Sequence, residues 1–187
     1  MTATLVVEKQ KLETPPLQLH YLGDKVLRQP AKRIAKVDDA VRQLAKEMLQ
    51  TMYSANGIGL AAPQVGINKQ LIVVDCEPDK PENQPLILIN PQITRTSQDL
   101  CVVEEGCLSI PNIYFEVTRP KAIEVSYKDE FGRPQKRQVA GLLARVIQHE
   151  IDHLNGVVFV DRVDNALALA ESLKKEGFSV QAVRPIT

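Results

Sequence analysis

The chain has no net charge: 23 lysines and arginines stand against 23 aspartates and glutamates. A global field drawing it to nucleic acid or to an acidic membrane is therefore excluded, although a local basic patch is not. It also has no long apolar run. Runs such as 71–74 and 86–89 have strand length, against the roughly 20 residues of a membrane-spanning helix. Cysteine is scarce and odd in number, at three, so a disulfide framework fits poorly and a reducing compartment fits better. The first 19 residues lack both the apolar core and the cleavage site of a secretory signal. The patch at 5–7 is followed at once by Glu8, Lys9, Lys11 and Glu13, which is also unlike an acid-free transit peptide. What remains is 187 residues, 44% apolar and 25% charged. That is the balance of one soluble globular domain, expected to be cytoplasmic, with neither DNA nor membrane as a partner.

Punctuation along the chain divides it into an arm at 1–16, ended by Pro15-Pro16, a single domain at 17–178 and a tail at 179–187. Asp38 reads as the cap of a helix reaching about Ala55. Val41, Leu44, Ala45, Met48, Leu49 and Met52 recur at three- and four-residue steps, and Asn56-Gly57 supplies the stop. The small-residue segment GIGLAAPQVG at 57–66 reads as a loop in which backbone must turn sharply or approach something closely. Short β-type runs follow at 70–75, 86–89, 100–103, 113–117, 121–128 and 134–140, with Asp129-Glu130-Phe131-Gly132 as a hairpin turn. A helix at 142–154 and another at 164–175 complete the pattern. Strands bunched between helices argue α+β, with small antiparallel or mixed sheets packed around a central helix and further helices towards each end.

The sharpest chemical signal is His149-Glu150-Ile151-Asp152-His153. Two histidines four apart share one helix face and can reach one ion. Glu150, about 100° around the helix, is placed to bond to a water beside that ion, the pattern of a metal-activated hydrolase with a glutamate base. Leu142, Leu143, Val146, Ile147, Ile151 and Leu154 make the same helix otherwise apolar, so its polar groups need partners. A catalytic site of this kind takes a third protein ligand. The metzincin extension fails, because Phe159 stands where its third histidine belongs. Glu171 or Glu176 would make a zinc endopeptidase of the thermolysin kind. His20, Cys76, Cys101 and Cys107 remain open, with Cys107 on a loop leaving a strand through Gly106 and ending at Pro111.

Three segments, GIGLAAPQVG at 57–66, EGCLSIP at 105–111 and QHEIDH at 148–153, resemble the three motifs of the peptide deformylase family in the right order. The resemblance covers roughly residues 17 to 165. It is to the bacterial and organellar type, and the stretch around Tyr114, where enterobacterial members usually carry arginine, is more similar to plastid-type members. It implies that Cys107, His149 and His153 hold one divalent metal ion, with Fe2+ expected and Zn2+ or Ni2+ able to substitute. It further implies that Glu150 moves protons and that the Gln64 amide and the Leu108 N–H receive the oxyanion. By the same resemblance, Ile58, Leu108, Leu142 and Val146 line an apolar slot with the His149 ring, Gly59 offers backbone bonds to a peptide, and Glu105 with Arg119 braces the cysteine loop. The implied reaction removes the formyl group from N-formylmethionyl nascent peptides and releases formate. Transient ribosome contact is implied too, for which the last helix offers only Lys174 and Lys175, offset by Glu171 and Glu176.

Overall fold

Where apolar side chains can be hidden decides the arrangement of the elements. The computed structural model describes residues 7–186, so the first six residues of the expected arm and the final Thr187 lie outside it. Helix α1, Asp39–Ser54, begins at Asp38, whose carboxylate accepts from the Val41 N–H at 3.0 Å. Its periodic face (Val41, Leu44, Ala45, Met48, Leu49, Met52) is buried as its spacing predicts. The strands are β1 (Gly59–Ala61), β2 (Leu71–Val74), β3 (Leu86–Thr96), β4 (Leu100–Cys107), β5 (Ile110–Pro120), β6 (Ala122–Lys128) and β7 (Pro134–Ala140). Five form one sheet in the order β1-β2-β3-β6-β7, and β4 with β5 forms a separate two-stranded ribbon; all the pairings are antiparallel. The α+β class is as expected.

Strand β2 is covered on both faces, which explains why it reads as an unbroken apolar run rather than an alternation. Leu71 and Val73 join Ile87, Ile89 and the buried face of α1. Ile72 and Val74 join Leu88, Ile123 and Val125 against helix α2, Gly141–Leu154, through Ala144, Val146, Ile147, Ile151 and Leu154. A third cluster unites Ile110, Ile113 and Val117 of β5 with residues 158–160 and with Leu169 and Leu173 of helix α3, Ala166–Lys175. Helix α2 thus runs between the sheet and the ribbon, and its residues from Ala144 to Leu154 are all buried. Among the described residues, no helix is long and apolar enough to cross a membrane.

Three local features depart from the expectation. Residues 59–61 of the small-residue segment form a strand and 62–65 a 3₁₀ turn; the strand is too short, and too buried on both faces, to show a period. The run at 86–89 continues to Thr96 through a register shift between Ile89 and Gln92 that absorbs Asn90-Pro91. Residues 7–16 lie against α1, where the Leu12 N–H donates to Ser54 Oγ at 3.2 Å and the Gln50 amide to the Gln10 carbonyl at 2.6 Å.

Asn90 holds the shifted register. It has φ of 51°, and its side chain accepts from the Ile34 N–H and donates to the Ile34 carbonyl, both at 2.8 Å. Asn90→Ala strands both buried groups and keeps the left-handed backbone, so a loss of about 3 kcal/mol is expected in urea denaturation. Asn90→Gly relieves only the backbone and should recover no more than about 1 kcal/mol of it.

Candidate metal centre and active site

Burial of α2 on every side forces each of its ionisable groups to find a partner. His149 and His153 share the face turned to the ribbon, and the two-residue turn at 108–109 between β4 and β5 brings Cys107 to them. The ligand atoms of Cys107, His149 and His153 all lie within 4.8 Å of one another, and Cys107 Sγ is 3.3 Å from His153 Nε2. The rivals are elsewhere. Glu171 is exposed on α3, Glu176 accepts from Asn112, and His20 pairs with Asp24. Cys101 lies in β4 with Sγ 3.1 Å from Arg145 Nη2, and Cys76 follows β2, where burial and Asp75 push its thiol up to about 11.

Gln64, which from spacing alone could have been a solvated loop amide, is buried. Its Oε1 accepts from the Ala61 N–H at 2.8 Å, and its Nε2 donates to Ser109 Oγ at 3.2 Å and towards Cys107 Sγ at 3.5 Å. Ile58, Gly59, Gln64, Leu108, Leu142, Val146, His149 and Glu150 all line one cleft of about 530 Å³. Only glycine fits at position 59, since a Cβ there would sit 2.7 Å from Val146 Cγ1 and closer still to Glu150 Oε1. Leu142 is half exposed at the rim, and Tyr114 stands beside it with its ring against Gly106.

The Polypeptide deformylase family model matches residues 16–168. The chain belongs to the peptide deformylase family. A peptide deformylase of Synechocystis sp. is 82% identical over 186 residues, which is 100% of each chain. Among solved structures, a peptide deformylase from Synechococcus elongatus in complex with actinonin shares 65% identity at a TM-score of 0.97, over 98% of this chain and 100% of that one. A plant peptide deformylase gives 37% and 0.81 over 92% and 91%. The family is metal-dependent, and among the described residues Cys107, His149 and His153 form a group that can hold such an ion.

The donor set fits a divalent cation. One thiolate and two imidazoles suit zinc, iron or nickel, and beside them Glu150 Oε2 is buried with no hydrogen-bond partner. Burial opposes charge on His149, yet Cys107 and Glu105 outweigh it and hold the ring well above its usual pKa. Burial and the charge of His149 push His153 the other way. The cluster thus calls for positive charge that it can hold only unevenly as protons, and a cation supplies it evenly.

Glu105 fixes the ligands from behind. It accepts from His149 Nδ1 at 3.0 Å, from Arg119 Nε and Nη2 at 2.6 and 2.9 Å, and from Arg145 Nη1 at 2.6 Å. The bond at Nδ1 leaves His149 Nε2 free to face the ion. Arg119 also donates to Asp152 at 2.8 Å, and Arg162 grips the same carboxylate with two bonds of 2.7 Å. Arg145, whose position one helical step from the apolar slot left its direction open, lines the same cleft and commits its guanidinium to Glu105 and to the Val117 and Cys101 carbonyls. Sequence reasoning missed Ser109, Arg162 and the role of Asp152. The signal for the last was a carboxylate inside an apolar helix, which implies a buried cation nearby.

Glu105→Gln keeps the shape but weakens the bond to His149. Metal affinity, read by chelator competition, is expected to fall about 10- to 100-fold. Burial alone would raise the carboxyl of Glu105, but Arg119 and His149 hold it far below its ordinary 4.5. Its contribution to stability is therefore complete above about pH 4.5 and is lost as pH falls below that value, where the unfolded chain takes up the proton first. Acid titration of unfolding should show a steeper decline below pH 4.5 for the native chain than for Glu105→Gln.

Proposed function

We propose that this chain is a metal-dependent hydrolase that removes the formyl group from the N-terminal formylmethionine of nascent peptides. The observation that carries the reading is a thiol and two imidazoles within 4.8 Å of one another, beside an unpartnered buried carboxylate that lines the cleft, in a member of the deformylase family. A cation held by Cys107, His149 and His153 supplies Lewis acidity and brings the pKa of a water down towards about 7. Burial pushes the Glu150 carboxyl up to about 7, a range suited to taking a proton and giving it back.

Glu150 removes a proton from the attacking water, whose oxygen adds to the formyl carbon. The amide Nε2 of Gln64 and the N–H of Leu108 donate to the carbonyl oxygen as its charge grows. Glu150 then passes its proton to the departing nitrogen, and the C–N bond breaks to give formate and a free amino terminus. Ile58, Leu108, Leu142 and Val146 enclose the methionine side chain, while the backbone of Gly59 bonds to the peptide. Glu105 and Arg119 keep Cys107 and His149 in register. We take Fe2+ as the native ion, the cytoplasm as the compartment, and contact with the ribosome as brief, given that Glu171 and the following Glu176 offset Lys174 and Lys175 of α3. A zinc endopeptidase completed by Glu171 is not favoured, because that carboxylate is exposed on α3 and outside the ligand group.

Anaerobically purified Glu150→Gln should retain one equivalent of iron by metal analysis and release formate from formyl-Met-Ala-Ser at least about 10³-fold more slowly than the native enzyme. Full activity of that variant, or casein cleavage by the native chain without formate release, would overturn the assignment.

A further inference from the structure

The cleft has two walls, and the ligands and their braces account for only one of them. The other wall is β1, reached from the N-terminal segment through a buried ion pair. Lys9 Nζ lies 2.7 Å from Asp75 Oδ2, with the two side chains only 10% and 4% exposed. Its ammonium also donates to the Lys80 carbonyl at 2.8 Å. The same Asp75 oxygen accepts from Tyr53 OH, at the end of α1, at 2.8 Å, while Asp75 Oδ1 caps the Glu77 N–H at 3.0 Å. Two charges so withdrawn from water persist only where the remaining polar atoms are satisfied, and this pair meets that condition.

The Asp75 backbone carries the effect to the cleft. Its N–H donates to the Ile58 carbonyl at 2.9 Å, extending the β1–β2 ladder in which Gly59 faces Val74. Ile58 and Gly59 both line the cleft. The segment bearing Lys9 is itself held along α1, where Gln50, Thr51 and Ser54 bond the backbone of Gln10, Leu17 and Leu12. Thr51 and Ser54 also donate to the carbonyls four residues back in their own helix, which fixes both hydroxyls for the task.

We infer that Lys9 is a positioning residue for the peptide-binding wall: through Asp75 it sets the line of Ile58 and Gly59. The inference rests on the deformylase reading of the cleft. Removing the ammonium leaves Asp75 buried and half-satisfied, so the carboxylate turns towards water and loosens the last rung of the ladder. Ground-state grip on the peptide suffers, and the ligand side of the cleft does not.

The test compares Lys9→Met and Lys9→Arg with the native chain by steady-state kinetics on formyl-Met-Ala-Ser, metal content, and amide hydrogen exchange. Lys9→Met is expected to raise KM about ten-fold with kcat and bound metal unchanged, and to speed exchange at residues 58–61 and 75. Lys9→Arg should return KM to within about two-fold, since a guanidinium can keep the pair. If Lys9→Met does not fold, Asp75→Asn is to give the same split. An unchanged KM, a fall in kcat with lost metal, or faster exchange confined to residues 7–17 overturns the inference. Absence of formate release by the native chain overturns the deformylase reading instead, and the exchange pattern still decides whether Lys9 governs β1.

Discussion

Everything at the site depends on sinking a helix that carries charges. Ala144 to Leu154 of α2 are all withdrawn from water, and among them stand two histidines, a glutamate, an aspartate and an arginine. Desolvation on that scale cannot be left uncompensated. Asp152 meets it with two arginines and Arg145 with Glu105 and two carbonyls. The histidines and Glu150 are the remainder, and the proposed ion with its water would complete them. The ribbon of β4 and β5 exists in this position largely to bring Glu105, Cys107 and Arg119 to that helix.

The helices were legible because their apolar residues repeat at helical steps, and most strands because they are short apolar runs between turn residues. What escaped did so for physical reasons. Strand β1 has three residues, buried on both faces, so Gly59-Leu60-Ala61 offers no alternation to detect. Strand β3 passes through Asn90-Pro91, normally punctuation, because a register shift against β6 absorbs the pair and the Asn90 side chain is tied to the Ile34 backbone. Both cases involve tertiary contacts that satisfy a local break.

Within the site, the two histidines and Glu150 followed from spacing along one helix. The third ligand did not. Cys107 and His153 are 46 residues apart, and residue type alone left Glu171, His20 and two other thiols in contention; only the likeness of three motifs to one family singled out Cys107, Gln64 and Leu108. The direction of Arg145 was likewise hidden, since a helical wheel gives an angle and no account of which carboxylate lies across the gap.

The two walls of the cleft have different foundations, and this bears on how the enzyme can vary. Cys107, Glu105 and α2 form one body, tied by charge-assisted bonds that converge on the ligands. Strand β1 belongs to another, resting on β2 and α1 and, through Asp75, on the N-terminal segment. The two meet where Gly59 approaches Glu150 with no room for a Cβ, where Gln64 bonds Ser109, and where β1 and β2 pack on α2. Contacts near the ligands therefore act on the chemistry, whereas those behind β1 act on the fit of the peptide. The first set is a closed network of buried charges, whereas behind β1, among the described residues, only the Lys9–Asp75 pair is charged and the rest is backbone ladder and aliphatic packing, so conservative aliphatic substitutions there leave the ligand side intact. Variation in peptide preference is then expected to arise on the wall that holds no metal ligand.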